Sequence, residues 1–254
     1  MSSGGEKRSN LHKAAQMLRE AARRKADLAV LPEMFNFLPR RMTREECLPN
    51  AEEEGGETLG VLSEVSKETG VAIVAGSIIE KDEDKLYNTA FVVTERGITG
   101  RYRKNHLFSY SNIREGDVFT PGGAPAVVEL CGMRAGITIC YDLRFPELFR
   151  AEVMQGAEAL VNVAAFLEET GKAHWMPLLR ARAIENLAYV IAANQAGVQE
   201  NNFKYYGHSC IIDPWGKVAR KAGFGEKIIF GKVGLRRVQE VRERLPVLKN
   251  HKQY

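Results

Sequence analysis

Three ionisable residues, each at the end of an apolar stretch, are the first candidates for chemistry: Glu33, Lys104 and Cys140. Cys140 closes the run Gly136-Ile137-Thr138-Ile139 and leads into Tyr141-Asp142-Leu143-Arg144-Phe145, with Pro146 suited to the first position of a helix. A thiol at such a strand-to-helix elbow lies near helix N-terminal amides, which favour the thiolate, the nucleophilic form of cysteine. Glu33 follows the apolar run Leu28-Ala29-Val30-Leu31, and strand ends in α/β sheets present side chains to a crevice. A carboxylate there is either a helix cap or a base. Lys104 follows a strand at 100–103. Taken alone, a cysteine after an apolar strand is more often structural than catalytic. A lone lysine in a basic run is usually a solvated charge. Glu, Lys and Cys in that order at three strand ends is a much rarer coincidence.

The elements that must position these residues alternate along the chain. Ser9 can cap a helix with Leu11, Ala14, Ala15, Leu18 and Ala22 at helical spacing. Leu28-Ala29-Val30-Leu31 reads as a fully apolar, central strand with neighbours on both sides. Residues 58–69 predict a helix stopped by Gly70, and 71–79 a strand. Residues 88–94 and 97–102 predict a hairpin, as do 126–130 and 133–140, turning at Cys131-Gly132. A helix from Pro146 to about Gly156 is followed by a strand at 159–164, a helix at 173–187 and a strand at 189–194. Strands at 209–213 and 218–221 flank Pro214-Trp215-Gly216, and 227–233 reads as the last strand. The basic residues of 236–244 interleave with acids, as on a solvated helix face. Alternation mixed with hairpins implies an α/β fold of mixed sheets with helices outside.

The 254 residues suffice for one large α/β domain, and no internal linker divides 1–254. A net charge of +4 is too small to argue for nucleic acid. No apolar run reaches the length of a membrane span, and the polar start is no signal peptide. The four cysteines, Cys47, Cys131, Cys140 and Cys210, show neither CxxC pairing nor zinc-site spacing. A reducing, cytoplasmic setting fits them. No metal site is expected.

Leu31-Pro32-Glu33, the segment from Tyr102 to Phe108 around Lys104, and the segment from Cys140 to Glu147 resemble the three catalytic motifs of the nitrilase superfamily. Ala173-His174-Trp175, residues 180–186 and residues 206–216 resemble its Nit-like amidase branch, so the likeness covers nearly the whole chain. The resemblance implies an α-β-β-α sandwich that assembles as a dimer or larger homo-oligomer. It implies an amidase in which Glu33 takes the thiol proton and Cys140 attacks the carbonyl to form a thioester that water hydrolyses. Lys104 and the Tyr141 N–H would hold the oxyanion. By its distance before Phe119-Thr120-Pro121-Gly122, Glu115 aligns with a second glutamate that positions Lys104 and the leaving amine. No metal or organic cofactor is implied, and the partner is a small-molecule amide. ω-Amides of dicarboxylic acids, of the 2-oxoglutaramate or deaminated-glutathione type, are the expected substrates. N-carbamoyl amino acids, a silent interaction subunit, and a Cys140–His174 hydrolase are the alternatives.

Two readings stay open at Arg144: a two-pronged grip on a substrate carboxylate, or a structural pair with Asp142 or Glu147. His106 and His174 are read as structural. At most one of Arg180 and Arg182, on different helix faces, can reach a pocket. Asn105 departs from the apolar residue expected beside the lysine, where it would alter the site. The family's usual first strand is expected to be missing, because Met1 is followed at once by Ser2-Ser3-Gly4-Gly5. Met1 is then an internal methionine of the natural frame, or the chain a truncated one.

Overall fold

In the computed structural model, which describes residues 1–199 and 203–252, two sheets lie between two layers of helices. The first sheet holds β1 (Leu28–Val30), β2 (Ala72–Val74), β3 (Ile78–Asp82), β4 (Lys85–Thr94) and β5 (Gly97–Arg103). A small hairpin follows, β6 (Ser109–Tyr110) with β7 (Ile113–Arg114). The second sheet is built on β8 (Val127–Leu130), β9 (Met133–Ile139), β10 (Ala159–Ala164) and β11 (Tyr189–Asn194), of which β9, β10 and β11 run parallel. A second hairpin, β12 (Ala196–Val198) with β13 (Lys204–Tyr206), precedes the last strands of the sheet, β14 (Cys210–Ile212) and β15 (Val218–Lys221).

The pattern of β4 shows why the layers stack in this way. Its residues from Leu86 to Val93 are all buried, so neither face meets water. Ala90 and Val92 face Ile137, Ile139 and the rest of the second sheet's core. Phe91 and Val93 face the other way, into Leu11, Leu18, Leu59 and Leu62 of helices α1 (Lys7–Arg23) and α3 (Glu57–Thr69), between which lies the one-turn α2 (Arg44–Cys47). A strand covered on both faces needs a continuous apolar run, and each such side chain contributes about 1.5–3 kcal/mol on burial. Helices α4 (Pro146–Met154), the one-turn α5 (Glu168–Thr170) and α6 (Met176–Asn186) follow β9 and β10, and α7 (Leu235–Arg244) ends the order. Phe149 of α4 and Leu179 of α6 join the core of the second sheet.

Both hairpins of 88–102 and 126–140, the stop at Gly70 (φ +72°) and the proline-led α4 agree with the sequence reading. Several expectations are corrected. Helix α1 begins at Lys7 after Glu6, so Ser9 lies inside it and caps nothing, and Ala21 rather than Ala22 is buried. Strand β1 pairs with β2 alone among the described residues, so it lies at an edge and its residues are only half buried. Residues 71–79 form two strands, both antiparallel to β4, with the register shifted by one residue across Ala75-Gly76-Ser77. The helix expected from residue 173 begins as a wider, π-type turn, Gly171–Trp175. Residues 227–233 join no sheet: Phe230 packs under the Arg24 guanidinium and Gly231 against Ile211, so side chains rather than a ladder hold the segment. Among the described residues, no helix is long and apolar enough to cross a membrane.

Candidate active site

Glu33, Lys104, Glu115 and Cys140, drawn from four loops, meet at one end of the two sheets. Glu33 stands in the loop after β1, and a break in a neighbouring strand shapes that loop. Gly76 has φ +48°, and a Cβ there would lie 2.0 Å from the Pro32 carbonyl oxygen. Only glycine allows so close a backbone approach. The next residue, Ser77, accepts the Met34 N–H on its hydroxyl (3.0 Å). Met34 itself is left-handed (φ +50°), a conformation that costs a non-glycine residue roughly 1–3 kcal/mol and persists only where its surroundings impose it. The one-residue shift between β2 and β3 thus sets the loop that presents Glu33.

Lys104 follows β5 directly, and its N–H continues the ladder to the Asn88 carbonyl (2.9 Å). Glu115 opens a 3₁₀ turn after β7, and its N–H is held by the Phe108 carbonyl (2.9 Å). All three side chains are buried, with Lys104 only 1% exposed. The Lys104 ammonium donates to Glu33 Oε1 at 2.8 Å and lies 2.8 Å from Glu115 Oε2. Glu33 is held further by Asn88 Nδ2–H on Oε1 (2.8 Å) and by the Ala165 N–H on Oε2 (2.7 Å). Glu115 Oε2 takes the Phe108 N–H at 2.7 Å.

Cys140 directly follows β9 in a left-handed conformation (φ +47°) and begins a 3₁₀ turn, Cys140–Arg144, before α4. Asp142 holds that elbow with a buried carboxylate that accepts four bonds. Tyr102 O–H (2.7 Å) and the Ile139 N–H (2.9 Å) donate to Oδ2, and the His106 N–H (3.0 Å) and Nδ1–H (2.7 Å) donate to Oδ1. Tyr102 and His106 lie two residues either side of Lys104, so one carboxylate ties the lysine segment to the cysteine segment. Arg182, buried on α6, donates twice to the Leu143 carbonyl (3.1 and 2.9 Å) and braces the elbow from behind.

Charge at the centre is short on the positive side. Burial would pull the Lys104 ammonium down, but the Glu115 and Glu33 carboxylates outweigh it and hold the ammonium charged well above its usual range. Burial raises Glu115, with Glu33 adding to the rise and Lys104 opposing it. Burial first, then the Glu33 charge, push the Cys140 thiol well up, and Lys104 only partly offsets them. This corrects the expectation that helix N-terminal amides favour the thiolate. The turn that follows Cys140 is short, and desolvation beside a carboxylate is the larger effect. The resting thiol keeps its proton.

A cleft opens over these four residues, with Tyr141, Arg144, Phe108 and Phe166 among its lining. Arg144 pairs with neither Asp142 nor Glu147; its Nη1 meets His174 Nδ1 at 3.2 Å. That directs the His174 lone pair to Arg144, so His174 is not arranged as a base for Cys140. His106 is structural, stacked on Phe145 (3.7 Å) and bonded to Asp142. Arg180 donates to the Gly216 carbonyl and Arg182 to Leu143, so neither lines the cleft. Asn105 turns its amide to the Ala124 carbonyl (3.2 Å), away from the lysine, and does not alter the charge arrangement. The sequence reading missed Asn88, Ser77, Asp142 and the Ala165 N–H. Only Asn88 carried a signal, as a polar residue inside a strand otherwise buried on both faces.

Comparison with known proteins accords with this geometry. The family model described as carbon-nitrogen hydrolase matches residues 2–243. The chain is 38% identical to omega-amidase NIT2 of Mus musculus over 250 residues, which cover 96% of this chain and 89% of that protein. It is also 38% identical to deaminated glutathione amidase of Mus musculus, covering 97% of this chain and 79% of the relative. Saccharomyces cerevisiae Nit3, described as a member of branch 10 of the nitrilase superfamily, superposes with a TM-score of 0.88 at 32% identity, covering 97% of this chain and 91% of its own.

Proposed function

The chain belongs to the carbon–nitrogen hydrolase family, as a nitrilase-superfamily amidase acting on amide C–N bonds, and on that footing we propose a thioester mechanism directed at ω-amides of dicarboxylic acids. One observation carries this reading: a single buried ammonium, Lys104, held between two buried carboxylates beside a thiol at a strained elbow. Glu33 accepts the thiol proton as the sulfur attacks the amide carbonyl. The carbonyl oxygen becomes an oxyanion, held by the Lys104 ammonium and the Tyr141 N–H. Glu33 then returns the proton to the departing nitrogen, which leaves as ammonia from a primary amide. Glu115 keeps Lys104 charged and in place and orients the leaving amine. Water, activated by Glu33, adds to the thioester; the acid leaves and the thiol regains its proton. The steps need neither metal nor organic cofactor.

Arg144, on the cleft wall without a carboxylate partner among the described residues, supplies the reason to favour an acyl group that carries its own carboxylate. The working form is a homo-oligomer in a reducing, cytoplasmic setting. The exposed apolar side chains Ile184 and Trp215, which flank Gly216, support a second copy seated there.

The test is ammonia release from 2-oxoglutaramate, N-carbamoyl amino acids and simple nitriles, with intact mass recorded during turnover. Hydrolysis of the ω-amide, with an acyl adduct that disappears in the Cys140→Ala variant, is the expected result. A carbamoyl preference would move the substrate class and leave the mechanism standing. Turnover by the alanine variant would overturn the mechanism.

A further inference from the structure

Arg144 is not aimed by a carboxylate. Its Cζ lies 5.1 Å from the Phe166 ring and 5.7 Å from the Tyr141 ring, and its one polar contact among the described residues is His174 Nδ1. A guanidinium has donors only, so Nδ1 must present its lone pair and the ring proton must sit on Nε2. An imidazolium has no acceptor, so the contact is made by the neutral ring alone.

The histidine ring is exposed, yet its place is built by buried neighbours. It stands in the π-type turn Gly171–Trp175, a wider turn often found at functional sites. Gly171 packs so closely on Tyr206 that a Cβ would come within 2.5 Å of that side chain. Trp175 is fully buried, and its Nε1–H donates to the His208 carbonyl at 3.0 Å.

We propose that His174 is a positioning residue that sets the selectivity of the cleft for carboxylate-bearing acyl groups by holding Arg144 in place. It takes one guanidinium N–H, while the two aromatic faces confine the plane. The other N–H groups are then left to fork onto a carboxylate. This rests on the reading of Arg144 as the carboxylate grip.

The experiment compares glutaramate, an acidic ω-amide, with uncharged butyramide in three variants. His174→Leu removes the acceptor, His174→Asn keeps an oxygen near the position of Nδ1, and Arg144→Gln removes the grip itself. A hydrogen bond of this kind is worth about a threefold to tenfold effect. The His174→Leu variant should therefore lower the acidic-over-neutral ratio of kcat/KM by about that factor, through KM, and His174→Asn should restore most of it. Equal losses on both substrates, or an unchanged ratio, would overturn the role of His174. If Arg144→Gln also leaves the ratio unchanged, the carboxylate reading of Arg144 has failed and this proposal falls with it. If Arg144→Gln moves the ratio and His174→Leu does not, only the positioning role has failed.

Discussion

Two buried carboxylate clusters on the first sheet and its margins use the same residue types to opposite ends. At Glu80, one carboxylate meets two guanidiniums, Arg103 at 2.7 Å and Arg101 at 3.1 Å, and a hydroxyl from Thr89 at 2.6 Å. Both arginines reach solvent, and Arg103 also pairs with the exposed Asp82. At Glu33 the ratio is reversed: two carboxylates and a thiol share one ammonium, and all are buried. The first cluster spreads its charge towards water: Arg101 also meets the exposed Glu54 and Arg103 the exposed Asp82, so no charge there is left buried without a partner. In the second, burial and the Glu33 charge push the Cys140 thiol well up, so the resting sulfur keeps its proton, which Glu33 receives in the proposed mechanism. Buried ion pairs are weak evidence for stability in themselves. Burial of the whole set around one cation, not the presence of ion pairs, is what separates the two clusters.

The largest expected effects break the reactive cluster at its proton exchange. Cys140→Ala should abolish turnover, and Cys140→Ser nearly so, with the circular dichroism spectrum unchanged. Glu33→Gln keeps the shape but cannot take a proton, and loss of a general base typically costs about 10²–10⁴ in rate. Steady-state ammonia release checks all three, and a Glu33→Gln enzyme within tenfold of the parent would remove Glu33 from the mechanism. Lys104→Ala comes next, with kcat down by about 10²–10³ from the lost oxyanion donor. It should also lower the melting temperature, because Glu33 and Glu115 are left buried together without a cation. A change in kcat below tenfold would make Lys104 a bystander.

The Glu80 cluster supplies the contrast. Glu80→Gln should leave kcat and KM within about twofold, because nothing in that cluster touches the cleft. Its cost falls on stability, about 1.5–3 kcal/mol for the weakened charged hydrogen bonds, measured by urea unfolding. A large loss of activity in a variant that is still folded would erase the distinction between the two clusters.

The last contrast is one of pH dependence and concerns a third carboxyl, Glu152, which is buried on α4 with no cation and no side-chain partner among the described residues. Burial, with Asp142 adding to it, pushes this group well above the usual carboxylate range, so the folded protein keeps its proton. Below about pH 4.3 the unfolded chain holds that proton too, and no pH dependence arises from it. Above that, the unfolded chain releases the proton and the folded one does not. Stability is therefore lost as pH rises, by roughly 1.4 kcal/mol per unit, until the folded group ionises. Glu152→Gln should remove this slope, so its melting temperature should gain on the parent between pH 5 and 8. Parallel pH curves for the two proteins would show that Glu152 is not held neutral.

Much of this was legible in the residues. The runs 88–94, 133–140 and 159–164 are apolar and bounded by turn residues, and local backbone preference with burial made them strands as read. What failed failed for tertiary reasons. Residues 71–79 carry no local reason to break in the middle; the break arises because Gly76 must meet the Pro32 backbone of another loop. Residues 227–233 have strand composition but join no ladder among the described residues, and Phe230 is used against Arg24 instead.

The sequence by itself determined which side chains could react and the order in which strand ends would offer them. A strand's alternation, a glycine stop and a proline start are decided within a few residues. Partnership is not. Lys104 meets Glu33 across 71 positions, the Ala165 N–H meets it across 132, and Arg144 meets His174 across 30. Those pairings depend on how two sheets stack and where their loops converge. The protonation of Cys140 depends in turn on burial and on the neighbouring charge, which exist only after the chain has closed around the site.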